Sequence, residues 1–181
     1  MNKKIFLGIG IFWLVIILAF VAFKEFTLKT GEDVMLKTRP VDPRDLFRGD
    51  YVILSYEIGR LDINSLQTDS ANFNKSDKVF VKLIKQENYG VATAIYKSQP
   101  KEGLFIKGTV KEIQGSLITV EYGIESYFVP EGEGWEIQRQ SGRGLEAKVA
   151  IDKFGNAVIK SIFLDGKEVR FNRTGDLDIS S

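Results

Sequence analysis

The chain has 181 residues, with 25 basic and 24 acidic side chains and neither cysteine nor histidine. The missing types exclude disulfides, cysteine nucleophiles, Cys/His zinc sites and every histidine-based catalytic triad. Without Lys3 and Lys4 the balance over 24–181 is 23 basic against 24 acidic, and a near-neutral body argues against partnership with nucleic acid.

Residues 1–4 form a short N-terminal arm. Ile5 to Phe23, IFLGIGIFWLVIILAFVAF, carries no charge. As a helix this stretch spans about 28 Å, close to the ~30 Å hydrocarbon core of a bilayer. A cleaved signal peptide would have a shorter apolar region and a small-x-small site, whereas Ala19 and Ala22 stand three apart. The stretch is therefore read as an uncleaved transmembrane anchor over 5–23. Lys3, Lys4 and the short arm favour a cytoplasmic N-terminus in the cell membrane. Residues 24–181 are then a single extracytoplasmic domain of a single-pass protein.

Beyond the anchor the dominant period is two, the signature of strands. Strands are predicted at 33–38, 50–58, 78–86, 90–98, 104–113, 116–123, 144–152 and 156–164, with KEVRF at 167–171 as a ninth. ENYG, QG, KFG and DG supply the tight turns between neighbours. Residues 61–77 are polar and turn-rich, and are read as a mobile connection with at most one short helix. One short helix is expected at 129–142, where Pro130 suits a first turn and Gly142 a stop. The final GDLDISS is expected to fray. The fold class that follows is mainly β, with one N-terminal transmembrane helix. Antiparallel sheets, as a sandwich or open barrel, would pack with the one short helix.

TRPVDPRDLFRGDYVILSYEI, residues 38–58, concentrates the unusual residues. Pro40 and Pro43 restrict the backbone, Asp42 suits an N-cap, and Gly49 suits a sharp corner. Alternation places Tyr51, Ile53, Ser55 and Glu57 on one face of the strand and Val52, Leu54, Tyr56 and Ile58 on the other. An integrin-type reading of Arg48-Gly49-Asp50 is discounted, because three residues recur by chance and this is a strand entry. Two readings of the stretch stay open. One is structural, with Asp50 capping a turn and the tyrosines packed with their hydroxyls at an edge. The other is a functional surface built from Arg44, Arg48, Asp50 and the tyrosines.

Gly49-Asp50-Tyr51, Leu54 and Tyr56 match in full the motif for which the GDYXXLXY family is named. PVDPRDLFR before them and YGIESYFVPEGEG after them are similar to that family's recurrent segments, and the resemblance covers most of the domain beyond the anchor. It implies a bacterial, membrane-anchored accessory protein of the cell envelope. It also implies a multi-span membrane protein as partner, and it implies no reaction. The candidate motif or binding residues are Pro40, Asp42, Arg44, Arg48, Gly49, Asp50, Tyr51, Leu54 and Tyr56 in the first segment. Glu125, Tyr127, Phe128, Pro130 and Glu131 are those in the second.

The same residues are open to other chemistries. Glu125, Glu131, Glu133 and Glu136 lie near Tyr127, Phe128 and Trp135, and paired carboxylates can serve a histidine-free hydrolase. Carboxylates near a helix start more often answer its dipole. An ion pair of Arg44 or Arg48 with Glu125 or Glu131 would join the two segments. RGDYVILSY after an anchor is also similar to the strand entry of type I signal peptidases. The stretch before it holds no serine, Thr38 is a poor substitute, and Lys82, Lys85 and Lys97 lack a matched nucleophile. A shared fold would then come without activity. GEG and GRG lack the pattern of a phosphate loop, and neither a cofactor nor a metal is expected. The leading expectation is a non-enzymatic binding or accessory module.

Overall fold

One long helix, α1 (Lys3–Thr30), opens the chain in the computed structural model. The structure describes residues 3–39, 51–70, 72–130, 137, 144–171 and 177–179. The large apolar side chains from Ile5 to Val21 are exposed, and none of the apolar window is buried against the rest of the protein. By length and composition this helix can cross a bilayer. It runs past the apolar stretch because Lys24, Glu25 and Lys29 are good helix formers. Lys29 also pairs with Glu25 one turn back at 3.1 Å.

The far end of α1 is built into the body. Thr27 is fully buried, and its hydroxyl donates to Asp152 Oδ2 at 3.0 Å. The Gly31 N–H closes the last turn on the Thr27 carbonyl at 2.9 Å. A Cβ at Gly31 would meet that carbonyl at 2.5 Å and the Ile151 nitrogen at 3.0 Å, so only glycine fits between helix and sheet.

The strands follow in chain order. They are β1 (Glu32–Lys37), β2 (Tyr51–Ile53), β3 (Arg60–Asp62), β4 (Gln67–Thr68), β5 (Lys78–Gln86), β6 (Tyr89–Tyr96) and β7 (Phe105–Gln114). After these come β8 (Leu117–Glu121), β9 (Ser126–Phe128), β10 (Leu145–Ile151), β11 (Ala157–Leu164), β12 (Lys167–Phe171) and β13 (Leu177–Ile179). Eleven belong to one sheet, in the order β13-β12-β11-β10-β1-β6-β5-β7-β8-β3 with β4 beside β6; β2 and β9 form a separate ribbon. Pairing is antiparallel except where β6 meets β1 and β4.

Core residues come from nearly the whole order, from Val169 on β12 to Leu61 on β3. Among the described residues only the sheet itself, the β2–β9 ribbon and the short connections can cover its inner face. The sheet therefore curls around that core. It does not close, since β13 and β3 end the order unpaired with each other. A mainly β, antiparallel-rich fold behind an apolar helix is thus the architecture, in an open curled form and without a closed barrel.

Three local expectations need correction. Among the described residues of the 50–58 run only Tyr51–Ile53 is a strand; Tyr56 then makes a single bridge to Thr38, and Glu57–Gly59 is a 3-10 turn. The 61–77 connection is structured, holding most of β3, a 3-10 turn over Ile63–Ser65 capped by Asp62, and β4. Edge pairing with β8 and β6 supplies the order that its polar composition hides. At the C-terminus, Leu177–Ile179 pairs with β12 instead of fraying. The helix expected at 129–142 lies outside the described residues except for Val129, Pro130 and Ile137.

Candidate functional site

Strand alternation decides which motif side chains are free to act. Val52, Leu54, Tyr56 and Ile58 are buried, while Tyr51, Ser55 and Glu57 point to solvent. The expected two faces therefore hold through the motif, even though the regular strand stops at Ile53. Leu54 and Tyr56, two of the motif's fixed positions, are core residues at 1% and 2% exposure.

The two motif segments meet directly. β2 pairs antiparallel with β9, with Tyr51 opposite Phe128, Val52 opposite Tyr127 and Ile53 opposite Ser126. The pairing is extended by the Leu54 N–H, which donates to the Glu125 carbonyl at 2.8 Å. On the outer face the Tyr51 and Phe128 rings meet edge to face, with centroids 5.5 Å apart. Both remain open to solvent, at 47% and 60% exposure. An aromatic pair left uncovered in this way is costly to hydrate and suits a contact surface.

Behind the ribbon, two tyrosines lace the segments together in opposite directions. The Tyr56 hydroxyl donates to the Ile124 carbonyl at 2.7 Å, and the Tyr122 hydroxyl donates to the Ile58 carbonyl at 2.5 Å. Burial first, and then the charge of Glu125, pushes both phenols well above their usual 10. They therefore stay protonated as donors across the neutral range. Tyr127 is half-buried against the core; burial and then the charge of Glu168 raise its phenol.

Glu125 closes the turn between β8 and β9. Its carboxylate accepts from the Tyr122 N–H at 2.5 Å and from the Gly123 N–H at 2.8 Å. Gly123 supplies the positive φ of 78° that turns both amides toward it. That is the arrangement of a cap, with the charge spent on two backbone donors.

Beside the ribbon lies a cleft of about 420 Å³, bordered by Arg39, Ser55, Arg60, Thr119, Glu121 and Glu125. The Arg39 N–H is fixed by the Ser55 carbonyl at 2.6 Å. Arg39 and Arg60 are the cations here, and the sequence drew no attention to either. Arg60 follows a 3-10 turn that resets the strand period, so counting in twos from Tyr51 does not find it. Arg44 and Arg48, the cations the sequence favoured, lie outside the described residues. So do Pro40, Asp42, Gly49, Asp50 and Glu131, and with them the anticipated ion pairs. Pro130 is half-buried just past β9.

The peptidase-like residues have other engagements. The Thr38 hydroxyl donates to the Leu145 carbonyl at 2.5 Å, Lys85 pairs with Glu32 at 2.7 Å and Lys97 with Asp77 at 2.8 Å. Among the described residues no three acidic side chains gather as metal ligands would.

Neither the curated proteins nor the solved structures yield a match. The model of one family, described as GDYXXLXY protein, matches residues 13–162, from within α1 through both motif segments to β11. The ribbon just described is thus the meeting place of the motif and its companion segment, and the chain belongs to the GDYXXLXY protein family.

Proposed function

We propose that this protein is a single-pass, membrane-anchored accessory module. In this reading α1 crosses the cell membrane with the N-terminus in the cytoplasm, and the β domain stands on the outer side. The motif ribbon then binds another membrane or envelope protein. The observation that carries the reading is the β2–β9 pairing. It joins the two family segments, uses Leu54 and Tyr56 to hold the core, and leaves Tyr51 and Phe128 edge to face and uncovered. The apolar exterior of α1 supports the anchor, since such a surface is unstable in water.

A histidine-free hydrolase centred on Glu125 has less support. The Glu125 carboxylate is engaged by two backbone N–H groups, and Glu121, the carboxylate that shares its cleft, is paired with Lys111.

The test has two arms. The chain has no cysteine, so Ser98→Cys gives one addressable site on the β domain. An impermeant maleimide should label it in intact cells; labelling only after lysis would reverse the orientation. In the second arm, Tyr51→Ala/Phe128→Ala should reduce recovery of a co-purifying membrane protein by at least roughly tenfold, as for loss of an aromatic hot spot. Equal recovery from a folded variant would reject the ribbon as the binding surface.

A further inference from the structure

The junction between α1 and the β domain encloses a second cleft, of about 470 Å³, and its charge is distinctive. Lys24, Lys78 and Lys107 line it, together with Thr109, Tyr122 and Asn156. None of the three lysines is in an ion pair among the described residues. Lys78 donates to the Thr109 hydroxyl at 2.7 Å, and the Lys24 ammonium lies 6.0 Å from the Phe20 ring centroid. The two carboxylates on the rim are both committed elsewhere. Glu121 is paired with Lys111, and Glu125 caps Tyr122 and Gly123. The cleft is therefore cationic in effect.

Its height is set by the helix. Lys24 is the first residue after the apolar stretch. Thr27, one turn on and about 4.5 Å higher, is latched to Asp152 at 3.0 Å. Asp152 in turn accepts from the N–H groups of Phe154 and Asn156 at 2.9 Å, which fixes the turn that carries Asn156 into the cleft. The cleft is thus held beside the first turn to leave the hydrocarbon. The headgroup layer there is about 5–7 Å thick on each side. On the same turn Phe154 is 48% exposed, with the Lys153 ammonium 5.1 Å from its ring centroid.

We infer that this cleft is a binding site for the phosphate headgroup of an anionic glycerophospholipid. The inference rests on the reading of α1 as a membrane anchor. By formal charge the lining of this cleft has three lysines against two carboxylates, whereas in the neighbouring cleft at the helix end Lys101 and Lys153 are outnumbered by Glu32, Glu102 and Asp152.

The experiment places the full chain in nanodiscs of phosphatidylcholine, alone or with about one fifth phosphatidylglycerol, and reads retained lipid by native mass spectrometry. Wild type should retain phosphatidylglycerol over phosphatidylcholine. Lys78→Gln/Lys107→Gln should insert equally well and lose roughly 30-fold of that preference, about fivefold per lysine. Lys85→Gln/Lys160→Gln, which removes two lysines from surface ion pairs, should keep it. Insertion without lipid preference, or a preference unchanged in Lys78→Gln/Lys107→Gln, would overturn the site and leave the anchor standing. Failure to insert would overturn both. If inorganic phosphate raises the melting temperature in pure phosphatidylcholine discs, and the Lys78/Lys107 variant abolishes that rise, the ligand is a free anion and the lipid assignment is overturned.

Discussion

Tyr56 and Ile124 are joined across 68 residues of chain by one buried hydrogen bond, from the phenol hydroxyl to the main-chain carbonyl, at 2.7 Å. The bond gives the last position of the motif a physical purpose. Phenylalanine would fill the same space but leave a buried carbonyl without its donor. Tyr56→Phe should therefore cost about 1–3 kcal/mol, measured by denaturant unfolding of the detergent-solubilised chain. Tyr51→Phe, on the solvent side of the same run, should stay within about 0.5 kcal/mol. Equal effects would mean that the two tyrosines are not divided between core and surface.

The same phenols predict an alkaline limit. Burial, followed by the Glu125 charge, raises Tyr56 and Tyr122 above the value of 10 they have in the unfolded chain. A group whose folded pKa is raised stabilises fully below its unfolded pKa, and that contribution falls as pH climbs. Stability should decline above about pH 10 in wild type, and the decline should be shallower in Tyr56→Phe. A flat profile to pH 11 would contradict the buried-donor assignment.

Asp152 sets the opposite limit. Burial pushes its carboxyl up, but the hydrogen bonds from Asn156, Phe154 and Thr27 together outweigh that and hold it below 3.8. Its contribution is complete above the unfolded value and lost as pH falls through the folded one. Acidification below about pH 4 should release the joint between α1 and β10. Proteolysis around Gly31 would then precede global unfolding, and Thr27→Val should move that release to higher pH. A joint equally resistant at pH 3 and pH 7 would count against the latch.

Gly123 and Glu125 make a third pair. Gly123→Ala imposes a side chain on a φ of 78°, at a cost of about 1–2 kcal/mol. Glu125→Gln keeps one acceptor oxygen but turns an amide toward a backbone donor, and should cost a similar amount. If Glu125 is a cap, the loss appears as a lower unfolding midpoint. Glu125→Gln with wild-type stability would reopen its reading as a chemical group.

Much of this was written in local pattern. KVFVKLIKQ forms β5 with the bounds its alternation predicts, and the run from Tyr51 to Ile58 sorts inward and outward as counting in twos requires. The apolar stretch at 5–23 announces its helix. What escaped is what tertiary pairing makes. Ser126–Phe128 is too short to read as a strand, and it becomes one only against β2, more than seventy positions away. Arg60–Asp62 and Gln67–Thr68 are likewise strands by virtue of β8 and β6. Glu125 was noticed as a carboxylate, but its purpose depends on amides turned toward it by Gly123, a geometry that composition does not encode. The cleft cations Arg39 and Arg60 are set by a bridge and a 3-10 turn, neither of which leaves a periodic trace.

The central claim is that the outer face of the β2–β9 ribbon meets a membrane or envelope protein. In-membrane photo-crosslinking tests it most directly, with benzoylphenylalanine placed at Tyr51 or Phe128 and, as control, at exposed Ile113 on β7. The account predicts one discrete adduct from positions 51 and 128, absent from position 113 and resistant to high salt. Equal crosslinking from all three positions, or none from 51 and 128 in a folded, inserted protein, would contradict it.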